Sequence, residues 1–199
     1  MLQAMRASKL LPSDWAVPEA ILLRLGDQAG RQRVIAEDGQ MLLILHRVPK
    51  ADDSAERDPA FFWCDGKHQW HSAPEDGGFE ALEAHVDGYR KMIAFLDRRV
   101  DDARRADEYF EILRLAVPVL RATRHMLEVI QAAREAMKLD RRLLLLRDQV
   151  AGLERTIDLA HSDAKFGMEF VMAESAAAQA DTSHAATLEA RRLNLLVAF

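Results

Sequence analysis

The side chains that could do chemistry in this chain are a histidine–serine–aspartate run, a pair of histidines, one cysteine and a band of carboxylates. His161, Ser162 and Asp163 supply the residue types of a hydrolytic relay. They are consecutive, however, and helix neighbours point about 100° apart, so they cannot converge on one proton path. His68 and His71 are three apart in a segment read as a strand, which sends them to opposite faces. They could share a metal only if the strand were broken there. Cys64 sits between Trp63 and Asp65 with no basic neighbour, so it reads as a packed thiol and not as a nucleophile. The chain has no G-x-S-x-G, Walker loop, G-x-G-x-x-G or H-E-x-x-H run. No catalytic residue is assigned, and an enzyme is not expected.

The carboxylates are the richer set. Glu80, Glu83 and Asp87 share a helical face, Asp97 and Asp101 lie one turn apart, and Asp102, Glu108 and Glu111 follow. Carboxylates converging from different helices would suit Mg²⁺ or Ca²⁺, which prefer oxygen ligands. Here Asp87 precedes Lys91 by four residues and Asp101 precedes Arg105 by four. That spacing predicts solvated, ion-paired faces, and no metal ligand is assigned.

Composition narrows the function classes. There are 27 Lys+Arg against 32 Asp+Glu, a net charge of −5, and 7% aromatic residues. Nucleic-acid binders carry a basic balance and stacking platforms, so no nucleic-acid partner is expected. One cysteine excludes a disulfide framework and a four-cysteine zinc site, and suits a reducing compartment. Met1–Leu11 lacks the apolar core of a secretory signal. No run reaches about 18 apolar residues, so the chain as given is expected to be soluble.

The elements that must position these groups change character near residue 77. Pro12, Pro18, Pro49, Pro59 and Pro74 all precede it; only Pro118 follows. Pro18–Leu25 reads as a short helix closed by Gly26. Asp38-Gly39, between Gln32–Glu37 and Gln40–Arg47, and Asp65-Gly66, between Phe61–Cys64 and Lys67–His71, each signal a two-residue hairpin turn. Met41–Leu45 is apolar at every position, as in a central strand. Pro49–Pro59 is polar and reads as a loop.

Beyond the junction, Phe79, Leu82, Val86, Tyr89, Ile93, Leu96, Val100 and Ala103 alternate at three and four, a coiled-coil seam. Asp107 interrupts it, Phe110, Leu113 and Val117 are read as resuming it, and Pro118 is expected to bend or restart the helix. Met126, Ile130, Ala133 and Met137 continue the pattern. Asp140 is a candidate N-cap for a last helix, with Leu139 and Leu144 as a hydrophobic staple. Its seam is Leu143, Leu146, Val150, Leu153, Ile157, Ala160 and Ala164, weakening through Val171, Ala178, Ala185 and Leu188. A helix from 140 to 199 would be roughly 90 Å long and must lie along a partner. The class is α+β, predominantly α. The organisation is a small α/β unit with two hairpins over 1–76, an antiparallel coiled-coil-like arm over 77–139, bent near Pro118, and a long stalk helix over 140–199.

This order of features resembles the cytosolic part of the CorA-type divalent cation transporters and their zinc-transporting relatives. Arg31-Gln32-Arg33, Asp38-Gly39 and Met41–Leu45 look like the family's R-x-R…G-x-LLLIL stretch. Phe79–Val100 is similar to its heptad helix after the sheet, and Thr187–Phe199 to the helix end that becomes the first transmembrane helix. The likeness spans about Trp15 to Phe199. The family's Gly-Met-Asn signature would lie beyond Phe199, and Thr187, Ala190 and Asn194 stand where members often carry Asn, Met and Thr.

The resemblance implies a cytosolic regulatory and assembly domain on the cytoplasmic side of the inner membrane, joined to the bilayer through residues beyond Phe199. It implies a homo-oligomer, pentameric in the full-length parent, with Mg²⁺ or another divalent cation favouring the closed form. It places Thr187, Leu193 and Asn194 near the pore and Arg191 and Arg192 at the membrane surface. The alternative is a non-transport coiled-coil scaffold or protein-interaction module.

Overall fold

The computed structural model describes residues 10–50 and 58–197, with side chains through Arg191. Helix α1 (Glu19–Leu25) comes first, preceded by Pro18 and ended by Gly26 at φ 81°. Strands β1 (Arg33–Glu37), β2 (Gln40–His46), β3 (Pro59–Cys64) and β4 (Trp70–Ala73) follow and form one antiparallel sheet in chain order. Residues 51–57 of the expected loop lie outside the described residues.

The first hairpin is as the sequence requires. Asp38 and Gly39 have φ of 48° and 74°, so both central residues are left-handed, and Glu37 pairs with Gln40. The second differs from expectation. The turn spans Asp65–Gln69, and the positive φ falls on His68 (61°). The physical reason is the Asp65 carboxylate, which accepts from the backbone N–H of Lys67 (2.8 Å) and Gln69 (2.9 Å) and holds a wider turn. His68 is therefore in the turn, and β4 begins only at Trp70.

Strand β2 is apolar at successive positions because both its faces are covered. Met41, Leu43 and Leu45 enter the main core with the long helices. Leu42 and Ile44 join Ile21, Leu25, Ile35, Phe61 and Trp63 beneath α1. Two polar links tie the sheet to the helices. The buried Gln32 side chain donates to the Ala122 carbonyl (2.8 Å) and accepts from the His46 backbone N–H (3.3 Å). The Tyr89 hydroxyl donates to the His46 carbonyl (2.9 Å).

The helices are α2 (Gly78–Asp102), α3 (Ala106–Ala136) and α4 (Arg141–Val197). In α2 the expected seam is the buried one: Phe79, Leu82, Val86, Tyr89, Ile93 and Leu96. The chain turns at Ala103–Arg105, where Glu108 accepts from the backbone N–H of Arg104 (2.8 Å) and Arg105 (3.0 Å).

Three expectations about this region are corrected. Helix α3 does not restart at Pro118 but includes it. The restart lies at Ala103–Arg105 instead, where Ala103 turns to extended backbone. The inward face of α3 is Ile112, Ala116, Val119, Thr123, Met126, Ile130 and Ala133. Phe110 and Val117 point outward, because the new helix begins in its own register after the turn. Asp140 does cap α4, accepting from the Arg142 N–H (2.9 Å), but Leu139 is 96% exposed and makes no staple.

Helix α4 has 57 residues, about 85 Å at 1.5 Å per residue. Leu143, Leu146, Val150, Leu153, Ile157, Ala160 and Ala164 are buried, chiefly against α3 and secondarily against α2. Each large side chain in that seam contributes about 1.5–3 kcal/mol by leaving water. A chain ended at Asp140 is therefore expected to be molten or insoluble, and a cooperative thermal transition for it would refute the pairing. Gly78 opens α2 at φ 59°, where a Cβ would lie 2.5 Å from the Trp70 carbonyl oxygen. Gly78→Ala is expected to cost roughly 2–4 kcal/mol in urea denaturation.

Candidate functional site

The feature that could do work outside the core is the outer part of α4. Its inner part is held by the seam and by Arg124 of α3, which reaches Glu154 (2.9 Å) and Asp158 (2.6 Å). These pairs are solvent-exposed and add only about 0.2–1 kcal/mol each, so they align the helices more than they bind them. At its head, the Arg142 guanidinium sits 4.4 Å from the Phe79 ring centre and ties α4 to the start of α2.

Near the turn between α2 and α3, Gly167 of α4 lies against Tyr109. A Cβ there would meet the Tyr109 ring at 2.5 Å, and the Tyr109 hydroxyl donates to the Ala103 carbonyl (2.9 Å). From Met172 through Arg191 every residue is exposed. That stretch is rich in alanine and has neither proline nor glycine, which suits one continuous helix. At 20 residues it is about 30 Å long.

Thr187 and Arg191 lie on this projection. Thr187 is exposed, and its hydroxyl donates to the Ser183 carbonyl (2.9 Å). Arg192, Leu193 and Asn194 belong to the same helix, but their side chains lie outside the described residues. Sequence reading missed a second stripe: Leu145, Leu159, Phe166 and Phe170 are exposed, the last two at 65% and 70%. The signal was present as spacings of fourteen, seven and four residues, beside the stronger inward seam.

The other chemistry-bearing groups are accounted for locally. The Ser162 hydroxyl donates to the Asp158 carbonyl (2.9 Å), away from any relay. His71 stacks on Trp63 at 4.8 Å and pairs with Asp65 at 3.3 Å. Asp87 pairs with Lys91 (2.9 Å) and Arg90 (2.6 Å), and Glu111 with Arg114 (3.2 Å). Arg105 pairs with Asp107, not with Asp101 as its spacing suggested, because it begins a new helix. Among the described residues no three His, Cys, Asp or Glu side chains come together as a metal site.

Two buried groups are strongly perturbed. Burial, reinforced by Asp65, pushes the Cys64 thiol up to about 11, which keeps it protonated and inert. Burial lowers His85 to about 4. Part of the His85 residue reaches the surface, but its Nε2 is enclosed. Phe62 and Tyr89 flank its ring; the His46 backbone and Glu75 oppose the shift, and Arg47 and His46 add to it.

The comparisons with known proteins bear on the fold. No family profile and no curated protein matches the sequence. A solved structure does: the ZntB cytoplasmic domain from Vibrio parahaemolyticus RIMD 2210633. The TM-score is 0.58 at 13% identity, covering 82% of this chain and 81% of that one. The chain has the fold of the ZntB cytoplasmic domain. This is the α+β arrangement expected from the sequence, with a small sheet and long helices. Among the described residues no helix is long and apolar enough to cross a membrane.

Two outcomes follow from the geometry. Gly167→Ala should displace Tyr109 from Ala103, costing about 1–2 kcal/mol and raising amide exchange at the Ala103–Tyr109 turn. His85 has a folded pKa below its unfolded value, so its neutral burial supports the fold above about pH 6.5. That support is lost as pH falls from about 6.5 toward 4, up to about 3 kcal/mol. Denaturant midpoints across this range should fall for the parent chain and flatten for His85→Phe.

Proposed function

We propose that this chain is the cytosolic regulatory and assembly domain of a CorA-like divalent metal cation transporter, and that it is not an enzyme. The observation that carries the reading is α4, a single 57-residue helix that leaves its bundle with twenty consecutive exposed residues, in a fold shared with the ZntB cytoplasmic domain. A helix that projects about 30 Å with every residue exposed among the described residues favours neighbouring copies as its support.

The outward stripe of Leu145, Leu159, Phe166 and Phe170 offers an apolar face for such a copy, and the alanine-rich stretch above it would admit close helix approach. In this reading the assembly is a homo-oligomer, pentameric in the full-length parent. Thr187, Leu193 and Asn194 face the ion path, and Arg191 and Arg192 meet the cytoplasmic surface of the membrane. Mg²⁺ or a related cation acts by linkage: it binds one arrangement of the protomers better and shifts the population toward it. The ion is cargo and effector here, not a resident cofactor.

Thr187→Cys tests the assembly. Buried Cys64 does not compete for thiol reagents, so a bis-maleimide should link copies only through position 187. The expected result is covalently linked dimers in high yield, since one reactive thiol per chain can join only one neighbour. Monomer alone at high protein concentration would refute the assembly role. Light-scattering mass with and without millimolar Mg²⁺ tests regulation. A shift in the mass distribution supports it, whereas an oligomer indifferent to metal fits a coiled-coil scaffold.

A further inference from the structure

At the head of α4, three connections meet: the Asp38-Gly39 turn, the Asp65–Gln69 turn and the Met137–Asp140 link from α3. Both hairpin turns lie at the same end of the sheet because its strands run antiparallel in chain order. A groove of about 710 Å³, open to solvent, lies among them. Its apolar lining is Gly39, Ala136, Met137 and Leu139, the last 96% exposed. One exposed leucine on a flat surface is ordinary. Beside a half-buried methionine in a groove, it offers a foothold for an apolar side chain.

The charges around this groove are uneven. Asp140 pairs with the Arg142 guanidinium (3.0 Å) and accepts from the Arg142 N–H (2.9 Å), so those two charges cancel. Lys138 and Arg141 also line the groove; both are exposed, and neither has an ion-pair partner among the described residues. No acidic residue stands in the first turn of α4, where the helix macrodipole is positive. Two unmatched cations therefore gather at the positive end of a long helix, on a chain whose net charge is −5. An anionic partner would relieve both.

We propose that this groove docks an acidic peptide segment of a partner protein, with one large apolar side chain against Met137 and Leu139 and flanking carboxylates on Lys138 and Arg141. An open groove suits a peptide better than a small molecule, whose sites enclose most of the ligand. A lipid surface is the poorer fit, because two cations and one leucine fall short of the charge and area that membrane binding needs. The docking surface is preformed. The Asp140 N–H donates to the Met137 carbonyl (3.1 Å), and Arg142 rests on the Phe79 ring at 4.4 Å, so little ordering opposes binding. This inference is independent of the transporter reading, because the groove lies at the opposite end of α4 from the Met172–Arg191 projection.

The probe is the blocked hexapeptide Glu-Asp-Leu-Phe-Asp-Glu, titrated into the whole chain and followed by backbone amide shifts. Saturable binding is expected, with shifts centred on Gly39, His68, Lys138 and Arg141. Raising salt from about 0.05 to about 0.5 M should weaken it severalfold. Reversing both cations, Lys138→Glu with Arg141→Glu, should weaken it about tenfold or more. The peptide Lys-Lys-Leu-Phe-Lys-Lys should then prefer the reversed chain. Leu139→Ser should weaken binding about threefold or more, and so should Gly-Gly at the centre of the peptide. The three substituted residues are exposed, so each variant should keep the parent's thermal transition. Should the reversed chain fail to fold, the two control peptides decide the matter on the parent chain. The proposal is overturned if the acidic peptide does not saturate, or if either control peptide matches it on the parent chain. Binding left intact by the charge reversal also overturns it, as does sedimentation with phosphatidylserine vesicles by a chain that ignores the peptide.

Discussion

The seam from Leu143 to Ala164 governs everything else in this molecule. It consists of large aliphatic side chains first and alanines last, so the grip of the bundle on α4 weakens along the helix. Apolar burial scales with area, and an alanine contributes little of it. The bundle therefore holds α4 firmly near Arg142, still packs Tyr109 against it at Gly167, and leaves it fully exposed from Met172 on. The same polypeptide is a core helix in its first half and a projection in its second.

The sheet supplies the rigid base for that arrangement. Strand β2 is covered by α1 on one side and by α2 and α3 on the other, so the small unit and the arm share a strand. Gln32 and Tyr89 fix the two layers with buried hydrogen bonds of defined direction, which apolar contacts alone do not provide. The unit is therefore more than an appendage to the helices.

Much of this was legible in the residue pattern, and the failures are instructive. The α2 seam, the doubly buried β2, the Asp38-Gly39 turn and the Asp140 cap follow from local rules: helical period, strand period, positive φ and an orphan N–H. The register of α3 did not follow, because Phe110 and Val117 are as apolar as Ile112 and Val119 and either set could face inward. The Asp65 turn was misjudged because a side-chain carboxylate can capture two backbone N–H groups and widen a hairpin. The outward stripe on α4 was masked by the stronger seam beside it. The side chains of Arg192, Leu193 and Asn194 lie outside the described residues, so their placement still rests on the resemblance.

By itself the sequence determined that the chain is a small antiparallel unit followed by long amphipathic helices, since periodicity and turn chemistry are properties of neighbouring residues. It also determined that the last helix is unbroken, because no proline or paired glycines interrupt it. Only tertiary structure decided which face of α3 is buried, where α4 leaves the bundle, that Gln32 bridges sheet and helix, and that the His85 Nε2 is enclosed. Those outcomes depend on which surfaces compete for the same partner across a separation of tens of residues, and no local spacing encodes the winner.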